Sequence, residues 1–218
     1  MSLALTRLLQ LASPALPVGA YTYSQGLEWA VEAGTVKDEA TALTWIGDQL
    51  EWNLGRYEAP LLARMIAAWG AGEVEVVIGL DAQYLATRET AELRAETLQM
   101  GHSLRRLIDD LKEATGVPSG LTYVAGWSSL AAAWLMEPRD ALAAWLWSWA
   151  ENQVMAALKV VPLGQAAGQR ILREIGGRIP AIVECALQLD EDNTSNFAPG
   201  FAIACARHET QYSRLFRS

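Results

Sequence analysis

Between Met100 and Leu111 an apolar side chain recurs at steps of four, three and four residues: Met100, Leu104, Leu107, Leu111. That spacing puts all four on one side of a helix with 3.6 residues per turn. A strand, which alternates faces every residue, would split them between core and solvent. The pattern is general. Leu43, Ile46 and Leu50 repeat it within Val36–Leu54, behind the polar start Lys37, Asp38 and Glu39. Leu61, Leu62, Met65, Ile66 and Trp69 repeat it within Arg56–Trp69. Alternating Val/Ile/Thr runs are few, and no Asn-Gly turn sits between such runs, so strand signals are weak. The chain is expected to fold as an all-α protein.

Breakers divide the helices. The stripe centred on Met100–Leu111 predicts one long helix over Arg88–Thr115, ended by Gly116, Pro118 and Gly120. Leu121–Met136 comes next, and Pro138 stands where a first-turn proline opens another helix. Pro162 closes that helix and starts another through LGQAAGQRILREIGG. Leu189–Gly200, LDEDNTSNFAPG, reads as a polar loop before a last helix from about Phe201. Neither a repeat nor a linker divides the sequence. The expectation is one helical-bundle domain over residues 1–218, with about nine or ten helices and a C-terminal docking tail at about 205–218.

Two segments need testing as membrane or export signals. At the N-terminus Arg7 lies inside the apolar run rather than before it, and Gln10 and Pro14 interrupt the run beyond it. An amphipathic first helix is therefore expected rather than a signal peptide. Ala141–Val161 approaches the length of a membrane span. Glu151, Asn152, Gln153 and Lys159 interrupt it, and it reads instead as a central helix that is apolar on most sides.

The 17 basic and 25 acidic residues leave a net charge of −8, and only Lys37, Lys112 and Lys159 are lysines. No basic face emerges that could displace counterions from a nucleic acid. Cys185 and Cys205 are too few and too far apart for a stapled secreted scaffold, which leaves reduced thiols in a cytosol.

Candidate chemistry is sparse. There is no phosphate-binding glycine loop, so nucleotide chemistry would have to belong to a partner. Asp109-Asp110-Leu111-Lys112-Glu113 resembles a DDxxD-type magnesium motif, which keeps an all-α isoprenoid-synthase-like enzyme as an alternative. The second acidic run, DEDNTS, has the wrong spacing for it. Arg105–Asp109 and Arg106–Asp110 are also spaced as exposed helical ion pairs. Cys205 and His208, three residues apart, are a thin metal candidate, since a closed site needs four ligands. With them a nickel chaperone binding the ion by itself stays open. Neither His102 nor His208 lies in a recognisable nucleophile context. Glu28, between Leu27 and Trp29, and Lys159, between Leu158 and Val160, are charges in apolar settings that either reach solvent or are paired. Gly164 and Gly168 form a small-xxx-small step that suits tight packing within the chain or between subunits. In the last residues Arg207, Arg214 and Arg217 surround Tyr212, Leu215 and Phe216, a composition typical of interface hot spots.

Four segments, LLQLASPALPVGAYTYSQGLEWAVEAG, RETAELRAE, ALKVVPLGQAAGQ and ARHETQYSRLF, resemble the UreF family of urease accessory proteins and keep the family's order from Leu8 to Phe216. The resemblance implies a non-catalytic protein without a cofactor. It would scaffold a UreD-type (UreH-type) partner and the GTPase UreG on apo-urease during nickel delivery, as a cytoplasmic homodimer that regulates or gates UreG. It places Glu28, Lys159 and, less directly, Glu58 on or near the UreG-facing surface. Tyr21, Arg207, Tyr212, Arg214, Leu215 and Phe216 fall to the dimer and UreD docking. His208 is expected to hold the tail. Pro17 and Gly19 are expected to aim Tyr21, Tyr23 and Glu28 outward.

Overall fold

The computed structural model describes residues 3–113 and 115–218. Met1, Ser2 and Ala114 lie outside the described residues, the last of them within the stretch expected to carry the long helix to Thr115. Among the described residues there are ten α-helices and no strand: α1 (Leu3–Ala12), α2 (Leu27–Glu32), α3 (Glu39–Asp48), α4 (Ala59–Ala71), α5 (Val74–Ala86), α6 (Ala91–Asp110), α7 (Tyr123–Ala133), α8 (Pro138–Val160), α9 (Gln165–Gln188) and α10 (Pro199–His208). The fold is a single all-α domain.

The boundaries have local causes. Asp38 caps α3 by accepting the Thr41 N–H at 2.9 Å, and the Thr41 hydroxyl receives the Asp38 N–H in return. This reciprocal box satisfies two donors that a helix start leaves free. Thr90 caps α6 by accepting from Leu93 N at 3.1 Å. α6 is shorter than its apolar pattern. The residue before it is a cap, and Lys112 adopts a left-handed φ of 58° just beyond its end.

Val36–Leu54 and Arg56–Trp69, expected as separate helices, are one continuous rod. Gln49–Glu58 joins α3 to α4 as π-helix, and both flanking residues, Asp48 and Ala59, keep right-handed helical angles. The wider turns bury Leu50, Asn53, Leu54, Tyr57 and Glu58. Such segments are costly and often occur at functional positions. α9 likewise continues past Gly176, Gly177 and Pro180, because Ile171, Ile175, Ile179, Ile182, Val183 and Ala186 keep one face buried throughout. α5 occupies a stretch in which the sequence showed no stripe.

α8 is the axis. It packs against α9, α1, α2, α3 and α4, while α6 lies on α7 and α7 on α4. Ala141, Leu142, Leu146, Ala150, Val154 and Ala157 are buried along it. No described helix is long and apolar enough to cross a membrane. Gly168 answers the small-residue step: a Cβ there would lie 2.9 Å from Leu158 Cδ1 of α8, so this glycine serves packing within the chain. Gly164 caps α9 with open space around it.

Candidate functional site

Residues beyond α10 do not hang free. They return to the segment beyond Pro17, Thr22–Glu28, and are held there by carboxylates from α2 and α6. Gly26 lets α10, from which the tail departs, pack closely on this segment. Its φ is +76°, and a Cβ would sit 3.0 Å from Cys205 N.

Glu28 is the centre of the contact. Its Oε1 accepts the Leu215 N–H at 2.7 Å and its Oε2 accepts the Phe216 N–H at 3.0 Å. His208 Nε2 lies 3.3 Å from the same Oε2, and His208 Nδ1 lies 2.7 Å from Glu92 Oε2. Arg214 donates to Glu92 Oε1. Glu92 also stands in the first turn of α6, where the helix dipole favours a negative charge. The last residues are pinned by backbone hydrogen bonds as well. Ser24 N and Gln25 N both donate to the Ser218 main-chain oxygen, at 2.7 and 2.9 Å, and Arg217 N donates to Thr22 O at 2.9 Å.

Lys159, at the end of α8, is exposed. Its Nζ sits 5.2 Å from the Phe216 ring centroid and 5.9 Å from that of Tyr21, with the Tyr21 carbonyl 3.5 Å away. The ammonium is thus fixed between two aromatics. Phe216 is buried beneath it, whereas Tyr21 (65% exposed), Leu215 (73%) and Tyr212 (105%) project outward.

A second polar layer lies under the tail. Glu96 accepts from Ser218 Oγ and Gln25 Nε2, each at 2.7 Å, and Trp149 Nε1 donates to Gln25 Oε1 at 2.7 Å. Burial pushes the Glu96 carboxyl up to about 7, a rise only partly offset by the Ser218 and Gln25 hydrogen bonds. Glu58, from the π-helical segment, pairs with Arg88 at 2.9 Å, and Arg88 lies over the Tyr84 ring. A cavity of about 60 Å³ separates these groups, bordered by Gln25, Glu58, Glu96, Thr97, Trp149 and Asn152.

Several expected positions change. Glu28 and Glu58 do not reach the surface: they are 7% and 5% exposed, and their partners, the Leu215 and Phe216 amides and the Arg88 guanidinium, come from their own chain. Tyr23 also turns inward, donating its hydroxyl to Gln99 Oε1 at 2.8 Å, so of the three residues expected to point outward only Tyr21 does. Arg207 is exposed on α10. Glu28, Lys159, Arg214, Leu215 and Phe216 do come together at one site.

The metal candidates do not assemble. Both ring nitrogens of His208 face carboxylates, and burial raises the Cys205 thiol well above its ordinary value, which disfavours the thiolate a metal requires. Among the described residues no three His, Cys, Asp or Glu side chains are grouped to hold an ion. Asp109 pairs with Arg105 at 3.1 Å on an exposed face, and among the described residues no Arg106–Asp110 ion pair is formed. Both cysteines are free thiols.

The residues missed by sequence reasoning are Gln25, Arg88, Glu92 and Glu96. One signal was available for two of them: Glu92 and Glu96, in RETAELRAE, are four apart and so share a helix face.

A sequence model of the UreF family matches residues 36–176 of this chain. The chain is 59% identical to "Urease accessory protein UreF" of Dechloromonas aromatica (strain RCB), over 99% of this chain and 98% of that protein. It is 59% identical to the protein of the same name from Azoarcus sp. (strain BH72), over 99% and 96%. Identity to that of Methylobacillus flagellatus is 50%, over 100% and 99%. The family model stops short of the tail, but these relatives match across it.

Proposed function

The chain belongs to the UreF family, and on that premise we propose that it is a cytoplasmic urease accessory protein, a non-catalytic scaffold for nickel insertion. In this reading it joins a UreD-type protein and the GTPase UreG on apo-urease, as a homodimer, and makes GTP hydrolysis by UreG productive.

The observation that carries the reading is the double hold of Glu28 on the Leu215 and Phe216 amides. A carboxylate buried for this purpose serves to fix a surface. What it fixes is a ridge with Tyr212, Leu215 and Tyr21 exposed and the Lys159 ammonium beside them. Aromatic and aliphatic groups held rigid at low entropy cost are what docking hot spots require. Tyr212 and Leu215 form the UreD-facing part of the proposed surface, and Tyr21 the dimer-facing part. Lys159 meets acidic groups of UreG. Glu28 and Glu58 contribute indirectly, as supports of the tail and of the helices below it. Arg214 is engaged by Glu92, so complementarity rather than an inserted arginine is the proposed route to the GTPase.

The test is capture of purified cognate UreD-type and UreG proteins on the full chain. The double variant Tyr212→Ala, Leu215→Ala removes only exposed side chains and is expected to lose the UreD-type partner. Lys159→Ala is expected to lose UreG. Capture of both partners at wild-type levels by both variants would overturn the reading.

A further inference from the structure

Glu96 is a buried carboxyl without a cation of its own. Its two partners, Ser218 Oγ and Gln25 Nε2, are neutral donors. The guanidinium of Arg88, whose charge also reaches Glu96, is already paired with Glu58 at 2.9 Å. Glu58 borders the same small cavity, with its charge offset by Arg88, so no cation is left over for Glu96. Such a carboxyl is costly to ionise where it stands, because neutral hydrogen bonds replace only part of the lost hydration. Ser218 lies directly over it, with its main-chain oxygen fixed by Ser24 and Gln25. Release of the tail would remove Ser218 from the carboxyl and open that side of Glu96 to water, reducing the burial that disfavours its ionised form.

We propose that docking of residues 214–218 is proton-coupled through Glu96: the tail closes over the protonated carboxyl and is released as that carboxyl ionises. The surface presented to partners would then be set by the acidity of its surroundings. This holds whichever partner reads the tail, so it stands or falls separately from the assignment above.

The sign is set by the two states. The docked carboxyl titrates at about 7, and a solvated glutamate near 4.5. A raised value in the docked state means that docking takes up a proton. The contribution is fully present below 4.5 and is lost as pH rises through about 7. Between pH 6 and pH 8 the docking constant is expected to fall about tenfold from this group alone.

The other groups around the site do not imitate this change. Arg88 and Glu58 neutralise each other, and Arg217 is cationic throughout, with one nitrogen on Gln99 Oε1. Burial raises the Tyr84 and Tyr23 phenols and the Cys205 thiol, which keeps all three neutral across the range. His208, Glu28 and Glu92 also lie against the same tail, and their contributions are common to the wild-type protein and to a Glu96 variant. A comparison with Glu96→Gln therefore isolates the Glu96 contribution, because the amide keeps the shape of the protonated acid and cannot ionise.

The experiment is hydrogen exchange of the Leu215, Phe216 and Arg217 amides in the full chain, as protection relative to intrinsic exchange, at pH 6 and pH 8. Wild-type protection is expected to fall about tenfold more than that of Glu96→Gln. Equal change in the two proteins would overturn the proposal. A direct carbon-13 titration of Glu96 in the wild-type protein gives a check that needs no variant. A midpoint near 7 supports proton coupling, and one near 4.5 refutes it.

Discussion

Glu28 Oε1 accepts the backbone N–H of Leu215 at 2.7 Å, across 187 positions of sequence. With the neighbouring bond to Phe216, this one carboxylate ties the start of α2 to the end of the chain. Removing it strands two amides and His208 Nε2. Glu28→Ala is therefore expected to lower stability by about 1–3 kcal/mol and to strip exchange protection from Leu215 and Phe216. If those two amides stayed as protected as in wild type, Glu28 would not be what holds the tail.

Lys159 should behave differently. Its contacts are an exposed cation between the rings of Tyr21 and Phe216, worth about 0.5–1 kcal/mol. Lys159→Ala is expected to shift the urea midpoint only slightly while abolishing capture of UreG. A large loss of stability would make the residue structural.

Arg88 and Glu58 form a deeply buried ion pair, with side chains 5% and 6% exposed. Deleting either partner leaves a naked charge in the interior, at a cost of about 3–5 kcal/mol. Arg88→Ala and Glu58→Ala should each destabilise strongly, and the double variant by much less than the sum. Simple additivity in a double-mutant cycle would show that the two do not support one another.

Two glycines in helices should respond oppositely to the same change. A Cβ on Gly101 would lie 2.5 Å from the Leu121 carbonyl oxygen and 2.7 Å from Thr122 C, atoms of backbone that cannot swing away. Gly79, on α5, has nothing within 4 Å. Gly101→Ala is expected to destabilise by about 1–3 kcal/mol, and Gly79→Ala to stabilise by up to about 1 kcal/mol. Thermal unfolding of the two variants should therefore bracket wild type.

Much of the fold was legible because helical burial is a local rule. Met100 and Leu104 of the expected stripe are buried, the breakers Gly116 and Pro118 follow α6, and Pro138 stands at the first turn of α8. The stripe's last expected member, Leu111, is exposed, and Ile108 takes its place in the core. The other exceptions have a common cause. Gly176, Gly177 and Pro180 are helix breakers by propensity, but the isoleucine face around them is buried by α8 and the π-helical segment, and packing outweighs about 1 kcal/mol per glycine. The π-helical turns of Gln49–Glu58 left no trace in the spacing for the same reason.

The candidate site divides along the same line. Sequence alone determined the helical class, the charges set among apolar neighbours at Glu28 and Lys159, and the arginine-aromatic composition of the tail, since each is a property of adjacent residues. It could not say which way Glu28 and Tyr23 face, because facing depends on what arrives from elsewhere in the chain. Only the tertiary structure decided that Glu28 turns inward to two amides 187 and 188 residues away, and that Glu96 lies beneath Ser218. A buried carboxylate must find donors, and in this fold the donors come from the other end of the molecule.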